Sequence, residues 1–172
     1  MISLNNKIFG IFLCISFLVF STSLIFGVLL SQSSSKTVDY DLNFLNIFMR
    51  NLLVCILLIM VFFSLGIISL TLLSINSSIF GAIFKQYYND TSFFQFSLSI
   101  LPHGIFEIPA LLISAAIGIS SWLYIFQYIF NQSISIKNDY PFFCKTIGLV
   151  VILLLIGALM ETFVTLPLSK YF

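Results

Sequence analysis

Charge is what this sequence has least of. Its 172 residues include seven Lys or Arg and six Asp or Glu, 8% in all, where a soluble domain carries roughly 25%. So few charges cannot cover a water-exposed surface, and a soluble globular fold is excluded. The net charge is +1, with no basic cluster. That argues against nucleic acid as a partner and against a polybasic lipid anchor.

Several chemistries fall with the scarce residues. Histidine occurs once, at His103, and glutamate twice, at Glu107 and Glu161. A single histidine cannot supply the H-E-x-x-H of a zinc intramembrane protease. A serine mechanism would need His103 as its base, and "GISS" at 118–121 is not a nucleophile elbow. No aspartate lies within a clear apolar span, so an aspartyl pair is absent. Neither a dinucleotide-binding glycine motif nor a P-loop occurs. No catalytic residue and no cofactor are therefore expected. One histidine and two carboxylates could hold a metal, but nothing in their spacing demands it, and no metal is assigned. Cys14, Cys55 and Cys144 are odd in number and lack metal-ligand spacing, so they read as small core residues.

What is present is apolar sequence. Hydrophobic residues make up 60% of the chain, and the mean hydropathy is +1.14. Runs long enough to cross about 30 Å of hydrocarbon occur at about 8–30, 47–75, 102–130 and 146–168. The first is longer than the apolar core of a secretory signal and reads as a retained span. Between the second and third, "KQYYNDTS" separates two apolar arms, each too short to cross alone. A short re-entrant or interfacial helical hairpin at about 77–101 fits, with one or two further crossings as the alternative. The expected architecture is an all-α polytopic membrane helix bundle, residues 1–172 forming one integral membrane domain of four or more spans. With a hairpin that does not cross, the polar loops 31–43 and 131–140 fall on the same side. Lys and Arg counts on the two faces are too even to set the orientation.

The stretch "LPHGIFEIPALLISAAIG" gathers His103, Glu107, Pro102 and Pro109. At about 100° per residue, His103, Glu107, Ala110, Ser114, Gly118 and Ser121 fall on one stripe about 80° wide. Small residues at four-residue spacing admit a neighbouring backbone, so Ala110, Ser114 and Gly118 form a packing seam. Ile119 falls outside it, toward lipid. Pro102 and Gly104 mark the start of the helix. Pro109 removes the hydrogen bond to the carbonyl of Ile105, which predicts a kink. Gly157, Glu161 and Thr165 recur every four residues, so Gly157 joins the seam and Glu161 faces inward. The expected interior polar site is His103, Glu107 and Glu161, completed by Asn51, Asn76 or Arg50. Two readings of it stay open: a proton- or ligand-handling site, and a structural knot that fixes helix packing.

The same residues resemble the signature of the stage II sporulation protein M family of prokaryotic membrane proteins. Pro102, His103, Gly104 and Glu107 match its Pro-His-Gly block with a glutamate three residues after the glycine. "ALMETFVTLPL" is similar to its closing glutamate-aromatic-x-threonine-proline pattern, with an extra Leu166. Asn51 and "INSSIFG" resemble its second-span asparagine and its Asn-Gly turn, with Ser77 in place of that glycine. The resemblance implies a multi-pass protein of the cell (plasma) membrane. In endospore formers the family member is a membrane scaffold for two cell-wall-degrading partners during engulfment. The expected role is a non-enzymatic scaffold or assembly subunit, with a permease-like transport subunit as the alternative. Expected partners are membrane lipid and other membrane or envelope proteins, and a homo-oligomer is compatible.

Overall fold

The computed structural model describes the backbone of residues 6–31, 44–60, 66–90, 93–130, 136–165 and 167. Side chains are described for these residues except 6, 87–90, 93–101, 103 and 136–138. The described residues form six α-helices and contain no strand: α1 (Asn6–Leu30), α2 (Phe44–Met60), α3 (Ile67–Asp90), α4 (Phe93–Ile119), α5 (Ser121–Ile129) and α6 (Ile136–Met160). A π-helical turn, Glu161–Thr165, continues from α6. The fold class is all-α, as the runs require, because a backbone in hydrocarbon must satisfy its own hydrogen bonds.

Four helical stretches are long and apolar enough to cross a membrane: Lys7–Leu30, Ile67–Gln86, Gly104–Ile129 and Asp139–Thr165. The apolar α2 has 17 residues, about 25 Å of helix against about 30 Å of hydrocarbon.

Side-chain contacts fix the helix directions. Ser77 donates its hydroxyl hydrogen to the carbonyl of Phe20, and Lys85 Nζ donates to that of Ser31 at 2.6 Å. Residue numbers rise together, so α1 and α3 are parallel. Gly118 of α4 lies against Ser69, near the start of α3, and against Leu58, near the end of α2. Asn51 of α2 lies beside Glu107 of α4. Hence α4 is parallel to α2 and antiparallel to α3. Tyr124 of α5 bonds Asp139 at the start of α6, and Gly157 near the end of α6 packs on Glu107, so α6 is antiparallel to α4. One end of the bundle holds Ser31 and Lys85. The opposite end holds the end of α2, the turn at Gly66, α5 and the start of α6.

Several sequence expectations change accordingly. The run at 47–75 is two helices, because Gly66 adopts a left-handed φ of 67° and caps the entry to α3. Its carbonyl accepts from the Leu70 N–H at 3.1 Å. A side chain there would be strained, and its Cβ would stand 2.9 Å from Ile119 Cα. The arms of the expected hairpin are helical, but residues 77–90 continue α3 and 93–101 begin α4. Pro102 and Gly104 therefore do not start the helix. Pro102 and Pro109 both lie inside α4, as membrane helices tolerate. The span at 102–130 is divided at Ser120 into α4 and α5, and Pro141 lies inside α6, which starts at Ile136. Three helices that run along the bundle, α2, α3 and α4, and the short α5 at its end separate the connection 32–43 from the connection 131–135. They leave opposite ends of the bundle, not the same end. Ile119 is 4% exposed and faces protein, because the turn at Gly66 packs on it.

Apolar area does not drive helices together in lipid, where close packing and interhelical hydrogen bonds do. The α1–α3 interface shows both. A Cβ at Gly27 would overlap the Ser78 backbone, and one at Gly81 would overlap the carbonyl of Leu24. Ser78 Oγ donates to the carbonyl of Ser23 at 3.1 Å. The most enclosed helix is α4, in which residues 114–119 are all buried, as are the turn at Ser120 and Ser121 after it. Two clusters pack on it: Phe20, Leu58, Leu73, Leu112 and Ala115 on one side, and Cys55, Ala110, Val150 and Leu154 on the other.

Candidate functional site

Glu107 stands where α2, α4 and α6 meet and is 9% exposed. Asn51 Nδ2 of α2 donates a hydrogen bond to its Oε1. From α6, Gly157 makes room for the carboxylate stem. A Cβ at Gly157 would lie 3.1 Å from Glu107 Cγ and 3.5 Å from Phe106 Cβ. Four residues on, Glu161 opens the π-helical turn and is half-buried. Its charge and that of Arg50 both act on Glu107, and Arg50 acts on Glu161 as well. The bonded pair Asn51 and Glu107 thus has a second carboxylate and a guanidinium within electrostatic range.

Among the sequence candidates the structure joins Asn51 to Glu107 and sets Glu161 and Arg50 within electrostatic range. It separates Asn76, whose Nδ2 donates at 2.8 Å to the carbonyl of Leu72 within its own helix. His103 lies one turn before Glu107 in α4, and its side chain is outside the described residues. Thr165, at the end of the π-helical turn, is buried. Among the described residues no three His, Cys, Asp or Glu side chains lie together as a metal ion would require.

Ala110, Ser114 and Gly118 are buried along one face of α4. Ser114 Oγ donates to the carbonyl of Ala110 in its own helix at 2.7 Å. Gly118 is the tightest point. Ser69 Oγ and the carbonyl of Leu58 occupy the place of its missing side chain, and Ser69 Oγ donates to that carbonyl at 2.9 Å. Of the cysteines, Cys55 is buried beside Ser114, as a small core residue would be, whereas Cys14 and Cys144 are exposed.

Three features escaped the sequence reading. The α1–α3 interface had a readable signal, since Ser23 and Gly27, and Ser77 and Gly81, are small residues at four-residue spacing. The bond from Lys85 to the carbonyl of Ser31 had none. Nor did the bond of 2.7 Å from Tyr124 Oη to Asp139 Oδ2, which pairs residues from different helices.

Chemically, the Glu107 site can tie α2 to α4 through a hydrogen bond while packing on α6, and its carboxylate can accept a proton. Two uncharacterized proteins of Methanocaldococcus jannaschii are similar to this chain. One is 30% identical over 130 residues, covering 73% of this chain and 57% of that protein. The other is 28% identical over 169 residues, covering 91% and 95%. This chain thus spans little more than half the length of the first. No solved structure gives a significant match. The profile of the family described as Stage II sporulation protein M matches residues 10–166, a region that contains α2 to α6 and all but the first residues of α1. With four helices able to span a bilayer, the chain belongs to the stage II sporulation protein M family of membrane proteins.

Proposed function

We propose that this protein is a non-enzymatic scaffold or assembly subunit of the cell membrane. The observation that carries this reading is the use of its scarcest polar groups. Glu107 is held by Asn51 and roofed by Gly157, so the side chain is bonded to α2 and packed on α6. Such a brace suits a bundle whose task is to present fixed surfaces to partners. Interhelical hydrogen bonds in membranes are worth about 0.6 kcal/mol on average and about 1–2 kcal/mol in model peptides. A few of them at close-packed glycines favour one arrangement of the bundle over others.

One observation favours a second reading, a permease-like subunit. Glu107 and Glu161 lie within candidate spans, where ionisable groups are functional candidates. The two readings separate experimentally. The protein is solubilised in mild detergent, recovered by affinity and analysed by mass spectrometry. A stoichiometric envelope or membrane partner supports the scaffold. A lone homodimer that carries proton-coupled flux in vesicles overturns it in favour of transport.

A further inference from the structure

The helix α5 is amphipathic in reverse. Ser121, Tyr124 and Gln127 face inward and are buried. Trp122, Phe126 and Ile129, at i, i+4 and i+7, face outward and are exposed, and Phe130 extends this face. The Phe126 and Phe130 rings pack together, tilted by 35°, with centroids 4.3 Å apart. The inner side is tied down by the bond from Tyr124 to Asp139 and by Tyr124 packing on Phe143 at 6.3 Å. The polar side of α5 is therefore committed to protein, and its aromatic side is turned away from it.

The level of α5 along the bundle is fixed by neighbouring contacts. At its start, Ser120 N–H bonds both Ala116 and Ile117 carbonyls, and Leu123 N–H bonds Ser120, so the helix tightens there to three-residue spacing. The Trp122 ring lies against Gly66, the turn residue where α3 begins; a Cβ on Gly66 would stand 3.3 Å from Trp122 Cδ1. Asp139, the partner of Tyr124, is where the last candidate span starts. So α5 stands at the end of the bundle where one span begins, another begins beside it, and α2 ends. Among the described residues the exposed Trp and Tyr side chains are Trp122, Tyr128 and Tyr140, and all three are at this end. Their amphipathic rings suit the headgroup level, where one side is apolar and the other wet.

We propose that α5 is an interfacial anchor whose aromatic face binds the lipid headgroup boundary and sets the depth of this end of the bundle. The inference does not rest on the scaffold reading, since a transport subunit would need its depth set as well.

The chain carries its own reporter, because Trp122 is the only tryptophan. The full protein is reconstituted in phosphatidylcholine vesicles whose acyl chains carry a nitroxide quencher, either near the glycerol or at the chain end. Aqueous iodide is tested in parallel on unlabelled vesicles. The expected result is a larger loss of Trp122 emission with the shallow label than with the deep one. Equal or greater loss with the deep label overturns the proposal, because α5 would then continue a span toward the bilayer centre. Quenching by iodide without quenching by lipid overturns it too, as α5 would stand in water. Quenching by neither means that protein, for instance a second copy of the chain, covers the aromatic face, and that also overturns it.

Discussion

Asn51 and Glu107, 56 residues apart, meet in the interior of the bundle, where the Asn51 amide donates to the Glu107 carboxylate. Each is fixed by its own helix, and the bond joins α2 to α4. Substituting Glu107 tests what the bond is for. Glu107→Gln keeps an acceptor of the same size, so the protein should fold, melt near the wild-type temperature in detergent and retain its partners. Glu107→Leu leaves the Asn51 amide without its acceptor, which should destabilise by about 1–3 kcal/mol. Under the transport reading, Glu107→Gln melts normally but abolishes proton-coupled flux. Wild-type melting for both variants, with flux and partner recovery unchanged, would remove Glu107 from both readings.

The glycines divide into two groups. Gly27, Gly81 and Gly118 each face backbone or side-chain atoms where a Cβ would sit, whereas Gly10 and Gly148 have open space. Gly118→Leu or Gly81→Leu should lower stability by about 1–3 kcal/mol or more through overpacking. Gly10→Ala and Gly148→Ala should be neutral or slightly stabilising, because alanine is the better helix former. Thermal melting of the set in one detergent decides. A uniform response would deny the close approach of α4 to Ser69 and of α3 to α1.

Helix directions make a prediction about sidedness. The connections 32–43 and 131–135 border opposite ends of the bundle, so single cysteines at Ser34 and Ser135 should label from opposite faces of sealed vesicles. Cys14, Cys55 and Cys144 are first replaced by alanine. Labelling of both sites from the same face by an impermeant maleimide would contradict the antiparallel order of α2, α3 and α4.

Lys85 reaches across from α3 to the carbonyl of Ser31 at the end of α1. Carbonyls in the last turn of a helix lack a helical partner, and cations there are favourable. Lys85→Met keeps the apolar stem but removes the donor. It should destabilise by about 1.5–3 kcal/mol, the range for hydrogen bonds to charged groups. Lys85→Arg should recover part of the loss. Melting temperatures of the three proteins in detergent, with no drop for Lys85→Met, would make the contact incidental.

Tyr124 and Asp139 are both buried and hydrogen-bonded across α5 and α6. Tyr124→Phe keeps the ring packed on Phe143 and removes only the hydroxyl. A loss of about 1–3 kcal/mol is expected, since the buried Asp139 side chain loses the Tyr124 donor. Hydrogen exchange should rise at residues 121–129 more than in α1. Unchanged exchange in α5 would show that the bond does not hold it.

Composition and run length alone determined that this chain is a helical membrane protein. Hydrocarbon leaves a spanning backbone few ways to satisfy its hydrogen bonds, and sparse charge removes the soluble alternative. The 100° advance per residue also placed Glu107, Ala110, Ser114 and Gly118 on one inward face, because small and polar residues recur there at four-residue spacing. Tertiary structure decided the rest. Gly66 reads locally like Gly10 or Gly148, which lie inside helices, yet its left-handed φ divides one run into two helices and reverses the side on which the last loop emerges. Periodicity showed that Ile119 leaves the stripe but not that the Gly66 turn would cover it. The partner of Glu107 was undetermined for the same reason. Asn51, Asn76 or Arg50 could each complete the site along the chain, and only the pairing of α2 with α4 placed Asn51 against the carboxylate, while Asn76 bonds back onto its own helix. A hydrogen bond between residues far apart in sequence depends on helix direction and register, which large, distributed packing surfaces set and no short stretch of residues contains.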